Sequence, residues 1–326
     1  MKNGKAAGAD NIPVEVLKAD PYITADILLP LFQDIWQKET FPKEWKKGII
    51  IKVPKKGDLS QCRNWRGITL LAVISKIFNK IILERIKNSS EMGLRKEQAG
   101  FHQNRSYIDQ INTLRVIIEQ SVEFHSPLYM FVDYQRAFDS LSRTWIWDEL
   151  KVRGLPSRFI NIIKEGYEDF NCRVLHEGQL SGVRQGCLLS PLLFLLVMDG
   201  VLRRALDGKR RGLTWRVQES LEDMEYADDV CLVSHKYEHM CRKLDDLWKE
   251  SKKAGFEINS SKTEEIRVNT IVKQELRLNG EDIKRSSDFC YLGSIVSRKW
   301  RYQQRSKCKN TEGEGIILQT EKSVDI

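Results

Sequence analysis

Aspartates stand directly beside apolar runs at two places in the chain. Asp133 follows the apolar residues 128–132, and the pair Asp228-Asp229 interrupts the otherwise apolar stretch 224–233. A polar pair between two apolar runs predicts a tight hairpin whose strands are buried and whose turn lies at the edge of a sheet. If both runs belong to one sheet, we expect the three carboxylates to converge at its rim.

Three carboxylates held close together repel one another, which raises their pKa values unless a cation shares the charge. Hard oxygen ligands of this kind suit Mg²⁺ that is bound together with substrate phosphates, and Mn²⁺ accepts the same ligands. The pattern predicts a site for two ions ~3.5–4 Å apart, one activating an attacking hydroxyl and one stabilising the leaving oxygen. An ordinary surface turn remains the alternative for any isolated Asp-Asp pair.

The elements that must position these aspartates are predicted by apolar periodicity. Helices are expected at residues 23–38, 71–86, 108–122, 145–152, 159–167, 190–206 and 238–253, and strands at 49–53, 128–132, 172–175 and on both sides of the Asp-Asp pair. Strands and helices are interleaved without a low-complexity linker, which favours one continuous α+β body.

Composition narrows the class of protein. The chain has 326 residues and a formal net charge of +8, a mild bias toward polyanionic partners such as nucleic acid. Its seven cysteines include no Cys-x-x-Cys pair, which argues against a disulfide framework and a clustered zinc site. The most apolar stretch, 188–202, contains serine, proline and aspartate and is shorter than the ~20 residues of a membrane span. We therefore expect an intracellular protein of the nucleus or cytoplasm, without a membrane partner.

Seven motifs together resemble the reverse transcriptases of non-LTR (LINE-type) retrotransposons, and they occur in that family's order. The central ones are FVDYQRAFDS at residues 131–140, GVRQGCLLSPLLF at 182–194 and YADD at 226–229, with LRKEQAGFHQNRS, GFEINSSKTE and FCYLGS among the flanking ones. The resemblance implies an α+β, right-hand polymerase-like fold with palm and fingers. It also implies RNA-directed DNA polymerase activity, with an RNA template, a DNA primer and deoxynucleoside triphosphates as partners.

The resemblance assigns catalytic roles to four residues. Asp133, Asp228 and Asp229 match the family's three catalytic aspartates and would ligate two Mg²⁺ ions. Lys262 would act as the general acid that protonates the pyrophosphate leaving group.

A second group would bind the incoming nucleotide: Lys55, Lys56, Arg66, Tyr134, Phe138, Gln185 and Gly186. The basic members would hold the triphosphate, since a guanidinium grips phosphate oxygens bidentately. Phe138 would exclude a ribose 2′-hydroxyl by its bulk, and Gly186 would let the backbone approach the substrate. Tyr134 would contribute its backbone carbonyl.

A third group would hold the nucleic acid. The turn Tyr291-Leu292-Gly293 would place the primer terminus near the aspartates, and Arg105 would contact template phosphates without reading sequence. The sequence is silent on oligomeric state.

The pattern fails after residue 297. Residues 1–297 form the expected reverse transcriptase domain, whereas 298–326 are polar and aperiodic, and we expect an aberrant, frameshifted tail, an incomplete thumb and a truncated copy. Two other interpretations follow. The chain could be an inactive remnant that only binds nucleic acid, or a nuclease that uses the same carboxylates.

Overall fold

A computed structural model gives the architecture of the chain. It describes residues 3–4, 6–54, 58–60, 64–91, 93–100, 105–132, 141–174, 187–216, 219–258 and 263–297. The tail expected at 298–326 lies outside these residues.

Eight α-helices and fourteen strands are present among the described residues. The helices are α1 Val14–Ala19, α2 Pro21–Lys38, α3 Val73–Glu91, α4 Tyr107–Glu123, α5 Arg143–Val152, α6 Ser157–Tyr167, α7 Ser190–Leu206 and α8 Tyr237–Ala254. The strands are β1 Lys47–Pro54, β2 Trp65–Leu70, β3 Leu128–Val132, β4 Asn171–Val174, β5 Leu213–Arg216, β6 Glu219–Leu221, β7 Asp223–Tyr226, β8 Asp229–Ser234, β9 Glu264–Val268, β10 Arg277–Leu278, β11 Glu281–Asp282, β12 Lys284–Arg285, β13 Asp288–Tyr291 and β14 Ser294–Ser297.

The principal sheet has five strands in the order β12-β9-β3-β8-β7. Its central strand β3 runs antiparallel to both neighbours, with Met130 opposite Val233 on β8 and opposite Ile266 on β9. Strands β7 and β8 form a hairpin at one edge. A smaller sheet, β2-β1-β4, and three two-stranded hairpins complete the β structure.

Both faces of the principal sheet are covered, which explains why its inner strands β3 and β8 are largely apolar. Successive side chains of a strand point to opposite faces. Cys231 and Val233 therefore pack in one apolar cluster with α4, whereas Val230 and Leu232 pack in the other with α7 and α8. This burial on both sides fixes the strand ends that carry the aspartates.

Helix α7 forms the centre of the larger cluster. Almost every residue from Leu192 to Leu206 is buried, and the helix begins at Ser190 with Pro191 in its first turn, as predicted. The α+β class expected from the sequence is confirmed. Within the described residues, the helices all lack the combination of length and apolar character that a bilayer crossing requires.

Candidate active site

The Asp228-Asp229 pair lies at the tip of the β7–β8 hairpin. Tyr226 pairs with Asp229, so the turn consists of Ala227 and Asp228 alone. Of these two turn residues, Ala227 has a positive φ of 57° and Asp228 does not. A positive φ at the first turn residue alone is the pattern of a type II′ hairpin turn. Both aspartates are half-buried at the rim of the sheet. The hairpin expected around this pair is therefore confirmed.

Strand β3 ends beside this turn. Its last residue, Val132, lies opposite Cys231, two positions beyond Asp229 along β8. The two apolar runs thus belong to neighbouring strands of one sheet. Asp133 follows Val132 directly in the chain and lies outside the described residues, so its place beside the pair stays a prediction.

The turn Tyr291-Leu292-Gly293 connects β13 to β14, with Tyr291 opposite Ser294. Leu292 and Gly293 both have positive φ values, 49° and 77°, as a type I′ hairpin requires. Tyr291 is 1% exposed and packs in the cluster on the α4 side of the sheet. Burial raises the pKa of its phenol, and the nearby negative charges, Asp229 among them, raise it further. The Tyr291 phenol is thus near enough to Asp229 for the charge of that carboxylate to affect its pKa.

Residues 95–100 support the hairpin from its outer edge, which sequence reasoning missed. Gln98 forms a parallel bridge with Glu225 on β7, and its side-chain Oε1 accepts a hydrogen bond from the backbone N–H of Ala227 at 3.0 Å. Arg95 donates to both oxygens of Asp223, at 2.7 and 3.0 Å, and also to Glu225.

A signal for this support was present in the sequence. Asp223 and Glu225 alternate with Met224 along a buried strand, and buried carboxylates require a cation or a donor nearby. The pattern did not indicate which residue would provide it.

Arg105 lies in the same region. Its Nη1 donates to the backbone carbonyls of Lys96 and Gln98, both at 2.5 Å, which connects Arg105 to the segment beside the hairpin. The residue is exposed, and a contact with template phosphates stays a prediction. For Arg66 the structure describes only the backbone, opposite Val53 in the β1–β2 pair.

The remaining predicted residues of the site lie outside the described residues: Lys55, Lys56, Tyr134, Phe138, Gln185, Gly186 and Lys262. Their roles stay predictions. The structure nevertheless places the segments that flank several of them. Strand β1 ends at Pro54 immediately before the two lysines, and α7 begins four residues after Gly186.

The donor chemistry of the turn fits a hard divalent cation, because Asp228 and Asp229 present carboxylate oxygens at a half-buried rim. In the described part of the chain, His, Cys, Asp and Glu side chains form no group of three or more that could hold a metal ion. Asp133, the third ligand expected from the sequence, lies outside the described residues, so the two-ion site stays a prediction.

The fold is that of a polymerase. A solved structure of apo telomerase from Candida tropicalis, truncated from its C-terminal domain, superposes with a TM-score of 0.55 at 16% identity, over 79% of this chain and 54% of that one. The likeness shows a shared fold.

The chain belongs to the reverse transcriptase family: the model of reverse transcriptase (RNA-dependent DNA polymerase) matches residues 53–296. It is 31% identical over 249 residues to a probable RNA-directed DNA polymerase from transposon X-element of Drosophila melanogaster, covering 71% of this chain and 26% of that protein. It is 30% identical over 203 residues to the corresponding protein from transposon BS, covering 58% of this chain and 22% of that protein. The chain thus spans about a quarter of the length of these relatives, and the expected retrotransposon family is confirmed.

Proposed function

We propose that this chain is an RNA-directed DNA polymerase that adds deoxynucleotides to the 3′-hydroxyl of a DNA primer on an RNA template. One observation carries the proposal most directly. The Asp228-Asp229 turn lies at the rim of a rigid sheet, beside the strand end that leads into Asp133. Covalent geometry places the Cα of Asp133 only about 3.8 Å from that of Val132.

In this proposal Asp133, Asp228 and Asp229 hold two Mg²⁺ ions. When bound, the ions supply activation of the primer hydroxyl and charge neutralisation at the leaving pyrophosphate. The primer 3′-hydroxyl would lose its proton to solvent water, and its oxygen would form a bond to the α-phosphorus of the nucleotide while the bond from that phosphorus to pyrophosphate breaks. Lys262 donates a proton to the departing pyrophosphate oxygen.

Other residues of the chain would bind and orient the nucleotide. Arg66, Lys55 and Lys56 would neutralise the triphosphate, and the backbone of Tyr134 would contribute a carbonyl at the metal site. The roles of the three basic residues are supported by their places in the chain: Lys55 and Lys56 directly follow β1, and Arg66 is the second residue of β2, the strand that pairs with β1.

Selection of the sugar and the base of the incoming nucleotide would depend on a second group of residues. Phe138 would pack under the sugar and exclude a 2′-hydroxyl, while Gln185 and Gly186 would contact the nucleotide and the template. For Gln185 and Gly186, a place in the chain just before α7, whose residues are almost all buried, supports a firmly held platform for these contacts.

The nucleic acid would be held on both sides of the acidic turn. The turn Tyr291-Leu292-Gly293 would carry the primer terminus, which is supported by the influence of the Asp229 charge on the pKa of the Tyr291 phenol. Arg105 is exposed and would contact template phosphates through the guanidinium donors that do not bind backbone carbonyls.

Primer extension tests this proposal. The full chain is incubated with Mg²⁺, deoxynucleotides and a 5′-labelled DNA primer annealed to RNA, and we expect stepwise extension of the primer. Asp228→Asn should reduce the rate by about 100-fold or more, because metal ligands act as a unit. The matched control is Asp148→Asn, an exposed aspartate on α5, which should extend at the normal rate.

Two outcomes would overturn the proposal. Binding of the primer–template without incorporation would identify a nucleic-acid-binding remnant. Cleavage of the nucleic acid without added nucleotides, abolished by Asp228→Asn, would identify a nuclease.

A further inference from the structure

The strand that leads into the acidic turn is paired on its outer edge by residues 97–100. Ala99 donates its backbone N–H to the carbonyl of Glu225 at 2.8 Å, and Glu225 donates to the carbonyl of Glu97 at 3.3 Å. β7 is the edge strand in the order of the five-stranded sheet. It nevertheless has backbone hydrogen-bond partners on both sides, β8 on one side and residues 97 and 99 on the other. On this outer edge β7 is held at Glu225, three residues before Asp228.

The side chain of Gln98 extends this support to the turn itself. Gln98 is 0% exposed. Its Oε1 accepts hydrogen bonds from the N–H of Ala227 at 3.0 Å and of Gly100 at 2.7 Å, and its Nε2 donates to Glu225 at 3.0 Å. One buried amide thus connects the turn, the supporting loop and the strand.

Close backbone packing allows this connection. A Cβ on Gly100 would lie 2.3 Å from the backbone nitrogen of Ala227 and 2.9 Å from its Cα. Only glycine lets the loop approach the turn so closely. Ala227 directly precedes Asp228 in the chain. A contact that holds the backbone nitrogen of Ala227 therefore acts within one residue of the Asp228 Cα.

We propose that Gln98 is a positioning residue for the reaction: it holds the N–H of Ala227 and thereby fixes the direction in which Asp228 presents its carboxylate. This inference rests on the proposed polymerase function. Two adjacent carboxylates repel each other, and Ala227 has the left-handed φ of 57° that a non-glycine residue adopts only under constraint. Without the Gln98 contact, the turn can relax while the strands remain paired.

The electrostatic surroundings explain why an amide serves better here than a carboxylate. Glu225 faces Arg95 from the loop, Asp223 on its own strand and Asp199 on α7. Burial raises the pKa of Glu225, Asp223 raises it further, and Arg95 opposes both. A neutral donor at position 98 satisfies the second oxygen of Glu225 without adding another charge.

The first experiment compares Gln98→Met with a matched control, Gln110→Met. Gln110 donates to the carbonyl of Glu97 at 3.2 Å and so supports the same segment, and among the described residues it makes no hydrogen bond to the hairpin. We expect Gln98→Met to lower kcat for primer extension by roughly 10–100-fold, the usual cost of losing a residue that orients a metal ligand. The Kd for primer–template should stay within about 2-fold, because the nucleic-acid surface is unchanged.

Hydrogen exchange measures the contact independently of activity. In Gln98→Met the amides of residues 225–229 should exchange faster, while those of the α7 core keep their protection. In Gln110→Met both regions should exchange at the normal rate. If Gln98→Met does not fold, a double variant, Gln98→Glu with Glu225→Gln, swaps the two side chains and so keeps the same hydrogen-bonding groups and the same net charge. This double variant should have normal amide protection at the turn and normal primer extension.

The outcomes separate the two proposals. If Gln98→Met keeps normal exchange at residues 225–229, or loses no more activity than Gln110→Met, the positioning role is wrong. The same holds if the folded double variant leaves the turn unprotected. If the unsubstituted chain does not extend primers at all, the polymerase proposal fails, while the exchange experiment still tests the contact that Gln98 makes.

Discussion

Replacing Arg95 by methionine removes the cation that contacts two fully buried carboxylates. Asp223 and Glu225 are both 0% exposed and Arg95 is 3% exposed at its side chain, so water does not replace the lost contacts. Breaking a buried ion pair in this way costs about 3–5 kcal/mol of unfolding free energy. At about 2–4 °C per kcal/mol, the Tm should fall by roughly 6–20 °C at neutral pH.

The pH dependence of this loss follows from the carboxylates that remain. Burial already raises the pKa of Glu225 above 4.5, and removing Arg95 removes the charge that lowers it. When folding raises the pKa of a carboxyl group, ionising that group costs more in the folded chain than in the unfolded chain. The free energy of unfolding therefore falls as the pH rises from the ordinary pKa through the raised one. The deficit of Arg95→Met relative to the unsubstituted chain should therefore be largest near pH 8 and smallest near pH 5.

Thermal melts at both pH values, with Arg277→Met as the control, measure this effect. Arg277 pairs with Asp282 at 2.7 Å, but both side chains are mostly exposed, so its removal should leave the Tm unchanged. A deficit for Arg95→Met that is no larger than the control's, or that is equal at pH 5 and pH 8, would refute the reasoning.

Three further substitutions probe the same region by denaturant unfolding. Ala227→Gly should raise the unfolding free energy by about 0.5–1 kcal/mol, because glycine adopts the φ of 57° without a Cβ clash, and an unchanged or lower value would contradict this. Lys243→Met should lower it by about 2–4 kcal/mol, because the buried Nζ donates to the carbonyls of Glu222 and Val233 at 2.7 and 2.8 Å. Tyr291→Phe should leave it within about 1 kcal/mol, since the buried hydroxyl has no hydrogen-bond partner among the described residues.

Local patterns in the sequence predicted most elements because apolar periodicity and turn chemistry act over a few residues. Helix 190–206 and strand 128–132 have the predicted bounds, and the hairpin turn, Ala227-Asp228, lies one residue earlier than the predicted pair Asp228-Asp229. The β5–β6 hairpin was missed, because its strands are short and polar residues such as Arg216 and Glu219 obscure their alternation.

Contacts between distant segments could not be predicted in this way. Gln98 and Ala227 are 129 positions apart, and nothing in the local pattern around Gln98 indicates that its amide reaches a turn so far along the chain. The pairing of β3 with β8 was stated only as a condition, since period-2 alternation identifies strands without giving their neighbours. The sequence therefore predicts a set of site residues, whose roles stay predictions, but it does not indicate which residues support the turn.

That support determines whether the acidic turn can do precise chemistry. Transfer of a phosphoryl group requires the reacting atoms to be held about 3–3.5 Å apart, and a displacement of 1 Å is costly. A two-residue turn at the end of a hairpin would by itself be the most mobile part of the sheet. Here the turn is held on one side by β8, which pairs with β3 between two apolar clusters, and on the other by the amide of Gln98. In the proposed reaction, rigidity at Asp228 would thus come from these contacts behind the turn.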